Sequence, residues 1–203
     1  MATLRYGIYL RPDPRTCWIQ AQISVALRQQ FGLVSAAAFP PHATLVGNLR
    51  TDLHAEQIIN LLNPIFESTQ TFPVHNKGIE RSKSAWLYNV DETPEGERNE
   101  ALLAIAEAVI AAVKPHALPM TDHLVSDLDE YRFWGHLSLA SHDLLVNPTL
   151  SDEVGEFIAA LPLEPPATFE ARYFSLFSFE ADWQNEWWHS LTWKHLHSWR
   201  LQH

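Results

Sequence analysis

One cysteine, Cys17, stands in a chain of 203 residues. A single thiol makes no internal disulfide and no cysteine-based zinc site. Long apolar runs are missing too, and none approaches the ~20 residues that span a bilayer. The start, Met1-Ala2-Thr3-Leu4-Arg5-Tyr6, lacks the basic-then-apolar pattern of a signal peptide. A cytoplasmic protein without membrane contact is the expectation. Positive charge is also scarce: 14 Lys plus Arg stand against 24 Asp plus Glu, for a net charge of −10. Proteins that ride on duplex or long single strands draw most of their affinity from phosphate neutralisation. This balance therefore favours a small phosphate ester or an RNA end as partner. With 46% hydrophobic and 19% charged residues the composition is that of a globular domain. Residues 1–203 are expected to form one catalytic domain, acting as a monomer and built of two similar lobes.

Histidine, by contrast, is plentiful, with eleven in the chain. Two of them sit in matching apolar runs, Pro40-Pro41-His42-Ala43-Thr44-Leu45 and Gly135-His136-Leu137-Ser138-Leu139. Composition alone yields about one His-x-Ser/Thr pair in a chain like this. The context is what distinguishes these two: each follows a Pro or Gly, each continues into Leu, and one lies in each half. Alternate side chains on a strand share a face, so His42 projects with Thr44 and His136 with Ser138. If the strands meet, two imidazoles and two hydroxyls converge. Such a set handles a phosphodiester without metal, one His as base and the other as acid, with hydroxyls on the phosphate oxygens. The competing reading of either motif alone is a hydrogen-bonded pair on a half-buried strand.

Periodicity predicts the following order. A strand over 4–10 leads to a helix over 16–31 closed by Gly32. The first motif strand ends near Leu49, and a helix capped by Thr51 or Asp52 follows, ended or kinked by Pro64. Strands over 72–79 and 84–90 are joined by Glu80-Arg81-Ser82-Lys83, the second carrying Trp86, Tyr88 and Val90 on one face. Thr93-Pro94 opens a helix that runs to Pro115. Residues 116–131 are irregular, and 133–140 form the second motif strand. A short helix over 147–161 and long strands over 168–180 and 187–201 complete the chain. Strand, helix, motif strand, helix, strand, strand is thus followed by helix, motif strand, helix, strand, strand. That near-repeat predicts two α+β lobes facing each other across a groove.

Other features compete for a role. Trp187, His189, Leu191, Trp193, His195 and His197 share strand parity, and His189, His195 and His197 could ligate a metal. The plainer reading is a half-buried sheet face with hydrogen-bonded imidazoles. Arg81, Lys83 and Arg132 are candidates for phosphate contact, and Trp86, Tyr88 and Trp134 for base stacking. The pairs Asp122-His123 and His142-Asp143 have the composition of an orienting carboxylate and its imidazole, although neighbours on a strand point to opposite faces.

The two motifs resemble those of the 2H phosphoesterase superfamily, with the closest likeness to the eukaryotic-type 2′,3′-cyclic nucleotide phosphodiesterases. Asn185-Glu186-Trp187-Trp188-His189-Ser190-Leu191 is similar to the Trp-containing last strand of these enzymes. The resemblance implies an α+β bilobal fold, two facing antiparallel sheets with helices on their outer sides and a central groove. It implies catalysis by His42, Thr44, His136 and Ser138 with neither metal nor cofactor. It further implies hydrolysis of a 2′,3′-cyclic nucleotide or related cyclic ribose phosphate to a 2′-phosphate, His136 acting as base and His42 as acid. Ser141 stands where relatives often carry Tyr or Arg at the cleft, which leaves the substrate open. Within the same superfamily the alternative is a phosphodiesterase of RNA ends or 2′-5′ oligonucleotides. Outside it lie a non-catalytic nucleotide-binding module and a metal hydrolase on the C-terminal His face.

Overall fold

The computed structural model describes residues 4–119, 128, 131–184 and 186–203. Nine strands and five α-helices alternate in it: β1 (Arg5–Arg11), α1 (Pro14–Phe31), β2 (Ala43–Leu49), α2 (Ala55–Glu67), β3 (Phe72–His75), β4 (Gly78–Ser82), β5 (Ala85–Asn89), α3 (Glu100–Val113), β6 (His136–Ala140), α4 (His142–Val146), α5 (Ser151–Ala160), β7 (Thr168–Ala171), β8 (Tyr173–Glu180) and β9 (Thr192–Arg200). Seven strands make one large antiparallel sheet in the order β4-β5-β6-β2-β1-β8-β9, and β3 pairs with β7 in a small second sheet. Helices α2 and α3 pack on the β2 and β9 side, whereas α1 and α5 pack against β5 and β6. The α+β class read from the sequence is the one observed. The two halves of the sheet are continuous, however, because β2 and β6 are hydrogen-bonded neighbours through one register pair, Ala43 with Leu137. No described helix is long and apolar enough to cross a membrane.

Local chemistry explains where the elements begin and end. Helix α1 starts at Pro14, not Thr16. Asp13 caps it by accepting from Arg15 N at 2.9 Å and Thr16 N at 3.3 Å, and Pro14 stands first, where its missing N–H is harmless. Gly32 closes it at φ 74 with its N–H on Arg28 O. Helix α2 is capped by His54, whose N–H donates to Gln57 Oε1 at 2.8 Å, and Pro64 is accommodated inside it. Helix α3 begins seven residues after Thr93. Residues 93–98 instead form a tight turn with Gly96 at φ 85, and Asn99 provides the cap through Leu102 N.

The two long strand predictions break for similar reasons. At Asn76 the side-chain oxygen accepts from Gly78 N, Gly78 adopts φ 114, and β3 leaves for the small sheet while β4 joins the large one. Residues 187–189 wind into a 3₁₀ turn, so β9 starts only at Thr192. Within β9 a bulge changes the parity: His197 lies opposite Leu176 and His195 opposite Phe177. Neighbouring positions on β8 face opposite ways, so His195 and His197 are on different sides of the sheet. The imidazoles of the alternative metal reading are thereby divided, and the described residues hold no cluster of three or more metal-ligating side chains.

Gly155 on α5 lets the helix meet β5. A Cβ there would sit 2.1 Å from the Trp86 ring, which is fixed by its indole N–H on Ser151 O at 2.7 Å. Gly to Ala inside a helix ordinarily stabilises by about 1 kcal/mol. Here the sign reverses: Gly155→Ala should destabilise by about 1–3 kcal/mol through overpacking, read as a lower urea midpoint.

Candidate active site

Antiparallel pairing at Ala43 and Leu137 sets the neighbours on either side of it. His42 falls opposite Ser138, and Thr44 opposite His136. Each imidazole thus lies across from the other motif's hydroxyl, and all four residues line one groove of about 460 Å³.

The rings are oriented in the same way. His42 Nδ1–H donates to the carbonyl of Pro40 at 2.6 Å, and His136 Nδ1–H donates to that of Trp134 at 2.9 Å. A carbonyl only accepts, so each ring keeps its proton on Nδ1 and presents Nε2 as the basic atom. Burial lowers the His42 pKa from the usual 6.5 to about 4; the Pro40 bond opposes the shift and the charge of His136 adds to it. Burial also lowers the His136 pKa, opposed by the Trp134 carbonyl and the carboxylate of Asp91. Two imidazoles of one type are thereby made unequal.

Two buried carboxylates hold the chain on its way into each motif. Asp91 accepts from Gly135 N at 3.0 Å, just ahead of His136, and pairs with Arg98 at 3.0 Å. Gly135 suits this close approach, since a Cβ would meet Asp91 Cα, Leu102 Cδ2 and Val90 O tightly, each at 3.2 Å. Asp143 accepts from Val34 N at 2.6 Å, Ser35 N at 2.7 Å and Ser35 Oγ at 2.5 Å. Residues 34–35 precede the 3₁₀ turn at Ala36–Ala38 that leads to Pro40 and His42. Asp143 therefore orients the first motif's approach, a different task from pairing with His142. Tyr9 on β1 stacks under His42 with ring centroids 3.9 Å apart. Gln20 on α1 donates from Nε2 to Ser138 O at 2.8 Å.

The remaining candidates divide. Ser141, Trp86, Trp134 and Lys83 line the groove. Trp134 also packs on His136, with centroids 4.9 Å apart. Tyr88 does not reach it: a bulge between Trp86 and Leu87 puts Leu87 on the groove face and turns Tyr88 into the core, 1% exposed. Arg132 is exposed and outside the lining, with its guanidinium on Tyr131 O at 3.0 Å. Arg81 pairs with Asp152 at 2.5 Å, on the α5 side. Asp122 and His123 lie outside the described residues. Tyr9, Gln20, Phe39, Asn48 and Tyr131 also line the groove without a sequence signal of their own, and they are joined there by Trp187, marked by its strand parity, and His142, marked by its neighbour Asp143.

Because both rings are neutral in the fold, stability is complete above pH ~6.5 and falls as the pH drops toward about 4, where the unfolded chain alone takes up the protons. Side-chain NMR titration should find both imidazole pKa values below the usual 6.5, with that of His42 at about 4. Asp91→Asn should lower that of His136 further, since the lost carboxylate favoured its cation. An unchanged His136 would remove Asp91 from its electrostatic environment.

Solved structures share this fold. LigT of E. coli complexed with 3′-AMP is 15% identical, superposes at TM-score 0.54 and is covered completely, as is this chain. A protein of Thermus thermophilus is 14% identical at TM-score 0.58, with 98% of each chain covered. A further structure, described as a phosphoesterase, is 15% identical at TM-score 0.57 over 98% of each chain. No curated protein matches the sequence. The profile of the 2′-5′ RNA ligase superfamily matches residues 9–183, nearly the whole length, and with its paired His-x-Thr/Ser strands the chain belongs to this superfamily, the 2H phosphoesterases.

Proposed function

We propose that the protein is a metal-independent cyclic phosphodiesterase that hydrolyses 2′,3′-cyclic nucleotides or related cyclic ribose phosphates. The observation that carries this reading is the matched pair of imidazoles, each locked through Nδ1 and each opposite a hydroxyl from the other motif. Membership of a phosphoesterase superfamily supports the reaction class.

In the proposed step a neutral His takes a proton from water as the water oxygen bonds to phosphorus. The bond from phosphorus to one ribose oxygen breaks, and the other His, as imidazolium, protonates that oxygen. One water is consumed, and the product is a ribose monophosphate ester. Thr44 and Ser138 donate to the non-bridging oxygens, where charge builds in the transition state. The family resemblance gives the base role to His136 and a 2′-phosphate product. The groove by itself is polarised the other way, with Asp91 favouring a proton on His136. Asp91→Asn separates the two assignments. It shifts the acid limb of the kcat/KM profile if His136 is the base, and the alkaline limb if His136 is the acid.

Scarcity of cations favours a short substrate: among the described lining residues Lys83 is the one Lys or Arg. A long RNA strand would want more. The test is turnover of the four 2′,3′-cyclic nucleotides in excess EDTA, with products separated by chromatography. Wild-type protein should yield one monophosphate isomer. His42→Ala and His136→Ala should each lose at least ~10²-fold in rate. Thr44→Val and Ser138→Ala should lose less, of order 1.5–3 kcal/mol of transition-state stabilisation. Binding without turnover would make the protein a nucleotide-binding module, and loss of activity in EDTA would make it a metal hydrolase.

A further inference from the structure

The lining of the groove holds hydrogen-bonding capacity that the described residues do not use: buried polar atoms of Trp187, Gln20 and Asn48 have no partner among them. Phe39, Trp187, His142 and Leu145 belong to that lining, and Gln20 and Phe39 also line a second pocket together. Trp187 sits in the 3₁₀ turn before β9 and is 2% exposed. Its ring is packed among Phe39 at 5.4 Å, Trp183 at 5.6 Å, Trp188 at 5.5 Å and His142 at 5.1 Å. Its indole Nε1–H has no hydrogen-bond partner among the described residues. Gln20, 5% exposed, is in the same position with opposite polarity. Its Nε2 is committed to the Ser138 carbonyl, which fixes the amide orientation and leaves Oε1 buried without a donor among the described residues. An atom of this kind destabilises the fold as long as it stays unpaired. Most buried polar atoms in folded proteins are paired, so an unpaired donor and an unpaired acceptor in the lining of one groove need an explanation.

We propose that Trp187 and Gln20 belong to a nucleobase subsite of this groove, where Trp187 Nε1 donates to the polar edge of a base and Gln20 Oε1 accepts from it. The aromatic walls fit the flat faces of a base, which stack well on aromatic side chains whatever the sequence. The unpaired donor and acceptor fit its edge, because every nucleobase carries a donor beside an acceptor. Phosphate would satisfy only the indole, since a fully ionised phosphate has no proton for Gln20. The subsite rests on the reading of the groove as a site for nucleoside cyclic phosphates, and it assigns the part of the substrate that the four motif residues do not touch. Binding energy gathered there can be used at the reacting phosphate next to it.

The experiment compares kcat/KM for the four 2′,3′-cyclic nucleotides with that for methyl ribofuranoside 2,3-cyclic phosphate, which has the same reacting group and no base. In wild-type protein the nucleotides should be the better substrates by about tenfold or more, and the four should differ among themselves. Trp187→Phe keeps an aromatic ring and removes the donor. It should cut the nucleotide to base-free ratio by about tenfold for the preferred base, the scale of one lost hydrogen bond in a buried site. Gln20→Met disturbs Ser138 as well, but that effect is common to both substrates, so a fall in the same ratio reports Oε1. A second readout needs no variant. The Trp187 indole N–H proton should move downfield on saturation with the nucleoside monophosphate product and stay in place with ribose phosphate. Equal turnover of both substrate types, with ratios unmoved by both variants, would overturn the subsite and leave the phosphodiesterase reading intact. Equal slowing of both types by Trp187→Phe would give the bond to ribose and overturn it as well. Wild-type turnover of neither type would instead remove the reaction on which the subsite rests.

Discussion

One β-pairing, Ala43 with Leu137, brings the two motifs together. The rest of the groove depends on it. Shifting an antiparallel register by one residue would turn every side chain of the slipped strand to the other face. His42 and Thr44 would then enter the core, and Ala43 would face the groove. Because the contact between β2 and β6 is so short, the register is enforced from outside. Asp143 clamps residues 34–35 ahead of the first motif, and Asp91 clamps Gly135 ahead of the second. Both carboxylates are buried, and charged groups bury stably only when paired or hydrogen-bonded. Their cost is offset by backbone N–H groups and, at Asp91, by Arg98.

The same burial prepares the imidazoles. A ring stacked on Tyr9 or packed beside Trp134, with Nδ1 committed to a carbonyl, has lost most of its freedom to rotate or to change tautomer. Its Nε2 is held where a proton must be taken or given. Desolvation makes both rings reluctant cations, and at His136 the carboxylate of Asp91 opposes that effect. An anionic phosphate entering between them would favour the charged form of each. The groove is therefore electrostatically incomplete until an anion arrives, which suits acid–base work at a phosphoester better than permanent ion pairing would.

Much of this can be read from the amino acids. The motif strands, the α+β class and the convergence of four side chains follow from period-two alternation and the order of elements. Pattern fails where a single residue alters the count. The bulge at Trp86 and Leu87 exchanges the faces of β5, so Tyr88 goes to the core and Leu87 to the groove. A second bulge in β9 separates His195 from His197. Bulges leave no clear mark in hydrophobicity, because they depend on how the partner strand is spaced. Caps escape pattern for a related reason. Asp13 and Asn99 win their helices by specific hydrogen bonds, and Pro14 stands at the first helical position. Tyr9, Asp91 and Gln20 reach the site only through tertiary packing, and their sequence surroundings resemble those of any buried strand or helix.

The central claim is that two unlike imidazoles divide a proton between them at a phosphoester. Its most direct test is the pH dependence of kcat/KM for a 2′,3′-cyclic nucleotide, measured from about pH 4 to 9 at constant ionic strength. A bell-shaped profile is predicted, with one limb for the group that must be neutral and one for the group that must be charged. A profile flat across that range would contradict the account, because no pair of histidines could then be carrying the proton.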